Sequence, residues 1–285
     1  MKGSTGVLIE KADGTLEPFV RTKLENSLRK AGANVHSIET IAGHIEGELK
    51  EGTPSGAIYK HAFELLRKSE LVAASRYSMK RAVFELGPTG FPFEDFLAEI
   101  FRAKGWNGAT RQLLRGKCVT HEVDLLAEKG GVVIGAEAKF HNELGIKSDL
   151  KVALYVESRH QDLKDRPLEQ FGGKTISEYW LITNTKFTSE AIEYGRCAGL
   201  SLISWNYPAK GNLQSLIEET AIFPITALAT LNRGERMRLI GGGIVLCRDV
   251  LRRPERLEEL GFKRGKLTAV LDEAKALCNI SHRVE

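Results

Sequence analysis

Two apolar segments joined by a glycine turn constrain the fold of this chain most strongly. Strand-like patterns lie near Lys117–Ala127 and Val132–Phe140, with Glu128-Lys129-Gly130-Gly131 between their apolar parts. A Gly-Gly pair adopts the positive φ angles of a tight turn, so the pattern predicts an antiparallel hairpin. Helix-like and strand-like patterns then alternate up to about residue 207, which is typical of an α/β domain built around this hairpin.

Proline and glycine divide the 285 residues into three segments. Gly87-Pro88-Thr89-Gly90-Phe91-Pro92 interrupts a helical pattern, and strand-like patterns stop after Trp205–Asn212. The length also exceeds the roughly 100–200 residues of a single domain. We therefore predict three domains: a mainly helical one at 1–88 that opens with a short hairpin, an α/β one at 91–209, and a small all-α one at 213–285.

Composition narrows the class of protein. No apolar segment reaches the roughly 20 residues of a membrane-spanning helix, and no secretory signal begins the chain. We expect a soluble, cytoplasmic protein with no membrane partner. The cysteines (Cys118, Cys197, Cys247 and Cys278) form no CxxC pair, which argues against a zinc ribbon and against a disulfide framework.

Three charged residues on the predicted hairpin indicate a catalytic site. Glu137 and Lys139 are two residues apart, so their side chains share one face of a strand. The hairpin would bring Asp124 close to Glu137. Two carboxylates beside a lysine suit Mg²⁺, which polarises phosphates and activates water. A surface Glu/Lys pair on an edge strand is the alternative, but the carboxylate across the hairpin favours a metal site.

These residues resemble a known family. Thr120-His121-Glu122-Val123-Asp124 followed by Glu137-Ala138-Lys139, with a helix from Phe93 before them, is similar to the Mrr-type restriction endonucleases of the PD-(D/E)xK superfamily. The resemblance implies a mixed sheet flanked by helices, with DNA as substrate. It implies that Asp124 and Glu137 hold Mg²⁺, that Lys139 is catalytic and that Glu94 supports the site. The glutamine that such domains carry on the following helix could be Gln161 or Gln170, and His121 and His141 are predicted to be structural.

The N-terminal segment resembles a second family. Val7–Gly14, then Glu17-Pro18-Phe19 and a helix opening near Lys23, is similar to the ATP-cone, a nucleotide-binding regulatory domain. The resemblance implies ATP or dATP as a regulatory ligand, although Ala12 stands where the cone usually carries Arg or Lys. The phosphates could be contacted by Lys11, Lys23 and Lys80. The ribose or base could donate a hydrogen bond to Glu17, and the site could be closed by Ser55 and Tyr59 of a later helix.

The C-terminal segment has a helix–glycine turn–helix pattern over residues 257–274. It resembles a helix-hairpin-helix, which holds a DNA phosphate on backbone amides, but a purely structural helical hairpin fits equally well. From residue 226 onward, 12 basic residues face 8 acidic ones, a surplus equal to the net charge of +4 of the whole chain. A basic end segment fits a polyanionic partner.

Together these patterns predict a Mg²⁺-dependent DNA endonuclease that is regulated by ATP or dATP and forms a homo-oligomer. The alternative is a nucleotide-responsive DNA-binding regulator whose nuclease fold does no chemistry. An RNA-processing nuclease is a third, weaker hypothesis.

Overall fold

The structure is a computed structural model that describes residues 6–143 and 145–279. Residues 1–5 and 280–285 of the predicted end domains therefore lie outside the described residues. The chain opens with strands β1 (Leu8–Glu10) and β2 (Leu16–Pro18), which pair antiparallel across a turn at Gly14, where φ is +80°. Strand β3 (Thr53–Pro54) pairs parallel to β1 and completes a small sheet.

Five helices make up the rest of this N-terminal part. They are α1 (Arg21–Lys30), α2 (Val35–Glu48), α3 (Ser55–Ser69), α4 (Leu71–Tyr77) and α5 (Met79–Phe84). Apolar residues at helical spacing, such as Ile38, Ile41 and Ile45 of α2, are buried together with Leu28 and Leu66 in a separate core. The predicted mainly helical N-terminal part with a leading hairpin matches this arrangement.

A five-stranded mixed sheet forms the middle of the molecule. Its strands are β4 (Asn107–Arg115), β5 (Thr120–Lys129), β6 (Val132–Lys139), β8 (Glu178–Thr183) and β10 (Ser201–Ile203), in the order β10-β8-β6-β5-β4. The strands β4, β5 and β6 are antiparallel neighbours, whereas β6, β8 and β10 run parallel. Two short strands, β7 (Lys147–Ser148) and β9 (Lys186–Phe187), form a separate parallel pair.

Helices cover both faces of the sheet. Helix α6 (Phe91–Ala103) packs on one face, and α7 (Leu150–Leu163) and α8 (Ser189–Ala198) contribute to the core on the other. Asp149 caps α7 by accepting a hydrogen bond from the Val152 amide. We predicted that this helix begins near Lys147, but residues 147–148 form β7 because the cap at Asp149 starts the helix after them.

The C-terminal part contains α9 (Leu213–Thr220), α10 (Arg233–Gly241), α11 (Cys247–Arg252), α12 (Glu255–Glu259) and α13 (Arg264–Cys278), and no strand among its described residues. The predicted mixed α/β protein with helices flanking its sheets and a C-terminal helical region is therefore confirmed at this level. No helix in the described part of the chain is long and apolar enough to cross a bilayer.

The C-terminal helices share one buried core with α5, α6 and a face of the sheet. Leu246, Leu257 and Val270 lie in the same cluster as Val83 and Phe96. The Thr226 hydroxyl donates to the Ala82 carbonyl, and Arg236 pairs with Glu85. Removing residues 213–285 would thus expose apolar surface on the rest of the protein.

Glu273 connects the C-terminal helices to the N-terminal ones. This carboxylate on α13 is only 2% exposed, and it accepts hydrogen bonds from the Ser75 hydroxyl at 2.6 Å and the Ala229 and Thr230 amides at 2.6 and 2.9 Å. We expect Glu273→Ala to lower the free energy of unfolding by about 2–3 kcal/mol, because the buried Ala229 amide and the part-buried Thr230 amide lose their acceptor and the Ser75 hydroxyl loses one of two. Urea denaturation measures this.

The matched control is Asp272→Ala, at the exposed neighbouring position. It should change the free energy of unfolding by less than about 0.5 kcal/mol. Equal stabilities for the two variants would show that the Glu273 hydrogen bonds do not hold the helices together.

Candidate functional site

The hairpin between β5 and β6 forms as predicted. Gly130 and Gly131 both have positive φ angles, and Leu125 pairs with Ala136. Continuing this register by one residue sets Asp124 across from Glu137. The carboxylate of Asp124 accepts a hydrogen bond of 2.8 Å from the Ala138 amide, which fixes the acid against β6. Burial raises the pKa of Asp124, and this hydrogen bond opposes the rise.

Glu137 lies at the centre of the site and contacts an arginine from α7. Arg159 forms an ion pair with the Glu137 carboxylate, donates to the Glu122 carbonyl at 2.9 Å and lies over the Tyr155 ring. Burial and then the charge of Asp124 raise the pKa of Glu137 to about 7, despite the nearby Arg159. The carboxylates of Asp124 and Glu137 therefore repel each other in a site that is partly shielded from water.

Glu94 approaches the same place from the first turn of α6. It is 7% exposed, and burial followed by the charge of Asp124 raises the pKa of Glu94. Arg111 of β4 contacts Glu94 at 3.1 Å and Asp95 at 2.8 Å. Pairing of β4 with β5 is interrupted at Arg111, whose φ of +55° is uncommon for a residue other than glycine.

Lys139 follows Glu137 on β6, at a position that pairs with Thr183 of β8. The charge of Lys139 lowers the pKa of both Asp124 and Glu137, though burial outweighs it. Within the described part of the chain Lys139 has no ion-pair partner within 4.0 Å. The structure thus brings together the four residues predicted for one centre, and leaves this lysine available.

This arrangement suits a divalent cation. The pKa values of these carboxylates stay raised although Arg111, Arg159 and Lys139 lie close by, so a further positive charge would stabilise their ionised forms. Carboxylate oxygens are the ligands that Mg²⁺ prefers. Asp124 and Glu137 could hold such an ion, with Glu94 beside them.

The remaining polar residues near the motif have structural contacts. His121 contacts the Asp162 carboxylate at 2.7 Å, and the His141 ring contacts the Ser148 hydroxyl at 3.0 Å. Gln161 donates to Glu157 on α7, and Gln170 is exposed in a short 3-10 turn. The histidines thus contact structural partners, and neither glutamine has a hydrogen bond to the described carboxylates of the centre.

A second candidate site lies in the N-terminal part. Five of the six residues predicted for nucleotide binding line one cavity of about 150 Å³: Lys11, Glu17, Lys23, Ser55 and Tyr59. The Glu17 carboxylate lies 3.9 Å from the Lys11 ammonium and 3.8 Å from that of Lys23. The Tyr59 hydroxyl is buried without a hydrogen-bond partner among the described residues. The two lysine side chains that line the cavity suit an anionic ligand.

The sixth residue, Lys80, does not line this cavity. It lines an adjoining cleft of about 760 Å³, which shares Ser27, Tyr59 and Tyr77 with the small cavity. Burial lowers the pKa of Lys80, and the charge of Lys186 adds to the effect. Ligand sites typically measure roughly 300–1,000 Å³, so a nucleoside triphosphate would need the cleft as well as the cavity.

The fold and these sites define a mixed α/β protein with a half-buried acidic centre and a C-terminal helical region. Residues 223–278 match the family model "AF1548-like, C-terminal". An uncharacterized protein of Archaeoglobus fulgidus is 34% identical over 180 residues, which cover 63% of this chain and 98% of that protein. A crystal structure described as a protein of unknown function, AF1548, is 32% identical with a TM-score of 0.54, over 67% of this chain and 99% of that one. The chain belongs to the AF1548-like family.

The two arginines of the centre were not predicted from the sequence. Arg111 lies on β4, a strand that we did not predict, and Arg159 lies on a helix distant in sequence from Glu137. Neither has a local motif, because each reaches the site through tertiary packing. The spacing of Tyr155 and Arg159, four apart on a helix, is the only local signal, and it predicts no more than contact between them.

The pKa of Glu137 predicts a pH-dependent stability. This pKa is about 7 in the folded protein and about 4.5 in an unfolded chain, so the folded state binds the proton more tightly. Its contribution is fully present below about pH 4.5 and is lost as pH rises through 7. Glu137→Gln should match the wild type near pH 4.5 and exceed its stability at pH 8, by at most about 3 kcal/mol. Chemical denaturation in EDTA checks this.

Asp165→Asn, at an exposed position outside the centre, serves as the control. Its stability difference from the wild type should stay constant from pH 4.5 to 8. A constant difference for Glu137→Gln as well would contradict a raised pKa at Glu137.

Proposed function

We propose that this protein is a Mg²⁺-dependent DNA endonuclease whose activity is regulated by ATP or dATP. The observation that carries the proposal is the convergence of the half-buried Asp124 and Glu137 and the buried Glu94. Beside them lies Lys139, a lysine without an ion-pair partner in the described chain. The resemblance to the Mrr-type nucleases supplies the reaction class, and the fold is compatible with it.

Each residue has a role in this mechanism. Asp124 and Glu137 would hold the metal, which would polarise a phosphodiester and lower the pKa of an attacking water. Lys139 would orient that water or neutralise the charge that develops on the phosphate. Glu94 would support the site from α6, where Arg111 fixes its carboxylate. Arg159 holds the Glu137 side chain in place before metal and DNA arrive.

Exposed basic residues of the C-terminal part support DNA as the partner. Four of them have no ion-pair partner within the described residues, whereas Lys266 is paired with Glu235 at 2.9 Å. Such cations add affinity for phosphates independently of sequence. The four are Arg252, Arg253, Lys263 and Arg264.

The N-terminal cavity supports the regulatory half of the proposal. Lys11 and Lys23 would contact the phosphates, and Glu17 would accept from the ribose or base. Tyr59 and Tyr77 stack with ring centroids 5.1 Å apart, and both line the cavity and the adjoining cleft.

One observation favours the alternative function, a nucleotide-responsive DNA-binding regulator without catalysis. Arg159 already supplies a positive charge to Glu137, so this carboxylate has a partner without any metal. A protein that uses the fold only for binding would keep this ion pair intact.

Plasmid nicking tests the nuclease. The wild type should nick supercoiled plasmid in Mg²⁺ and not in EDTA. Asp124→Asn and Lys139→Met should reduce nicking at least about 100-fold, with DNA affinity unchanged within a few-fold because phosphate contacts elsewhere supply most of it. Asp165→Asn should nick as the wild type does.

Nicking by Asp124→Asn at the wild-type rate would contradict the assigned centre. If no protein nicks DNA while all bind it, and ATP changes that affinity, the regulator is the correct function. Cleavage of RNA but not DNA under the same conditions would support the RNA-processing hypothesis.

Calorimetric titration with ATP and dATP tests the regulatory site. Lys11→Ala and Lys23→Ala should each weaken binding by roughly tenfold or more, since each removes a charge-assisted contact. Lys60→Ala, on the same N-terminal part but outside the cavity and the cleft, should bind as the wild type does. No binding of either nucleotide at millimolar concentration would remove the regulatory half of the proposal.

A further inference from the structure

A cluster of two histidines and a glutamate lies where α2 packs against α3. His44 and Glu48 are four residues apart on α2, and His61 reaches them from α3. The His44 Nε2 atom lies 3.3 Å from Glu48 Oε1, and the His61 Nδ1 atom lies 3.3 Å from Glu48 Oε2. One ligand atom from each side chain lies within 4.8 Å of the other two.

These separations fit metal ligation better than hydrogen bonding. A contact of 3.3 Å is longer than the roughly 2.7–3.2 Å typical of an N–H···O hydrogen bond. Ligands about 2.0–2.1 Å from a tetrahedral zinc ion lie about 3.3–3.4 Å from each other. Each nitrogen–oxygen separation therefore has the value expected between two ligands of one ion. The two nitrogens approach different oxygens of Glu48, so the carboxylate would bind the ion through both oxygens or turn to present one of them. A small rotation of these side chains would bring the two imidazole nitrogens as close to each other as each already is to Glu48.

The arrangement of the two imidazole rings favours a bound metal ion. The His44 and His61 rings meet edge to face with centroids 5.1 Å apart. If both were protonated, their charges would repel at this separation. As neutral rings they each offer a lone pair, and one carboxylate lies between them. Imidazole suits zinc, nickel, copper and iron, whereas magnesium prefers oxygen ligands.

The core of the N-terminal part fixes the positions of the two helices that carry the cluster. Ile45 and Ala62, the neighbours of His44 and His61, are buried in the N-terminal core. Tyr59 faces the nucleotide cavity from the same helix as His61, but residues two apart on a helix point in different directions. Neither the cavity nor the cleft includes any of the three ligands. The cluster is thus separate from both sites described above.

We propose that His44, Glu48 and His61 bind a zinc-like divalent transition metal, with a fourth position left to water or another ligand. His₂Glu is a donor set that zinc uses in proteins. The ion links α2 to α3 and stabilises the N-terminal part, because a ligand that binds the folded state alone raises its stability. This site is independent of the proposed nuclease.

Titration of the full chain with ZnCl₂ or CoCl₂ alone tests the proposal. The Asp124→Asn background, in excess Mg²⁺, keeps the acidic centre from contributing. We expect one Zn²⁺ per chain, d–d absorption of bound Co²⁺ typical of four-coordination, and a rise in melting temperature of about 5 °C. His44→Ala, His61→Ala and Glu48→Gln should each weaken binding at least about tenfold, the loss that even an outer-shell change brings.

His36→Ala is the matched control, because His36 lies exposed on α2 outside the cluster. It should keep wild-type affinity for Zn²⁺. Circular dichroism confirms that each variant is folded, and Glu48→Gln keeps the shape of the side chain it replaces. The proposal is overturned if the folded wild type binds no Zn²⁺, if the three cluster variants bind it as the wild type does, or if His36→Ala loses binding equally.

Discussion

The register of the β5–β6 hairpin is the constraint on which the acidic centre depends. The turn at Gly130 and Gly131 pairs Leu125 with Ala136, so Asp124 comes to lie across from Glu137. The Ala138 amide then donates to Asp124 and fixes the carboxylate in this position. A slip of one residue would turn every side chain of the strand to the other face. Because helices cover both faces of this sheet, such a slip would move each side chain into the opposite core, where it does not fit. The packing of the two cores therefore holds the carboxylates together.

The charge balance at the centre explains why three elements meet there. Two neighbouring carboxylates with little access to water repel each other and favour protonation. Arg159 from α7 and Arg111 from β4 reduce this cost on opposite sides of the centre. Buried ion pairs seldom add net stability compared with well-packed apolar residues. The left-handed backbone at Arg111 carries a further cost of about 1–3 kcal/mol. Packing stability alone therefore does not account for this arrangement.

Local patterns predicted most of what depends on local geometry. The hairpin, the shared face of Glu137 and Lys139 and the helical character of both ends follow from periodicity and turn residues. Strand β4 was missed because most of its residues are half-buried or exposed, so Asn107–Arg115 has no apolar run. The lysines of the N-terminal cavity were found through a motif, yet Lys80 lines the adjoining cleft instead. The His44, Glu48 and His61 cluster was not predicted, because one ligand comes from a different helix.

The predicted domain boundaries mark real changes of pattern, but packing crosses them. The cores of the sheet, of α6 and of the C-terminal helices form one cluster, to which α5 contributes Met79, Val83 and Leu86. Apolar periodicity shows which face of a helix is buried and not which partner buries it. Glu273 shows the same limit for polar groups: it reads as one acid among several on a helix, yet it accepts hydrogen bonds from two distant parts of the chain.

This shared core gives a physical route between the two proposed sites. Met79 and Lys80 line the cleft beside the N-terminal cavity, and Met79 belongs to the same buried cluster as Phe93 and Phe96 of α6. Helix α6 also carries Glu94, whose pKa is raised by the charge of Asp124. A nucleotide that fills the cleft would contact α5 directly. Densely packed cores transmit displacement because they contain little free volume, so a shift of α5 would move α6 and, with it, Glu94. Regulation would then require that the protein bind the nucleotide more tightly with α5 in one of two placements. A ligand shifts the equilibrium between two conformations by the difference in its affinity for them.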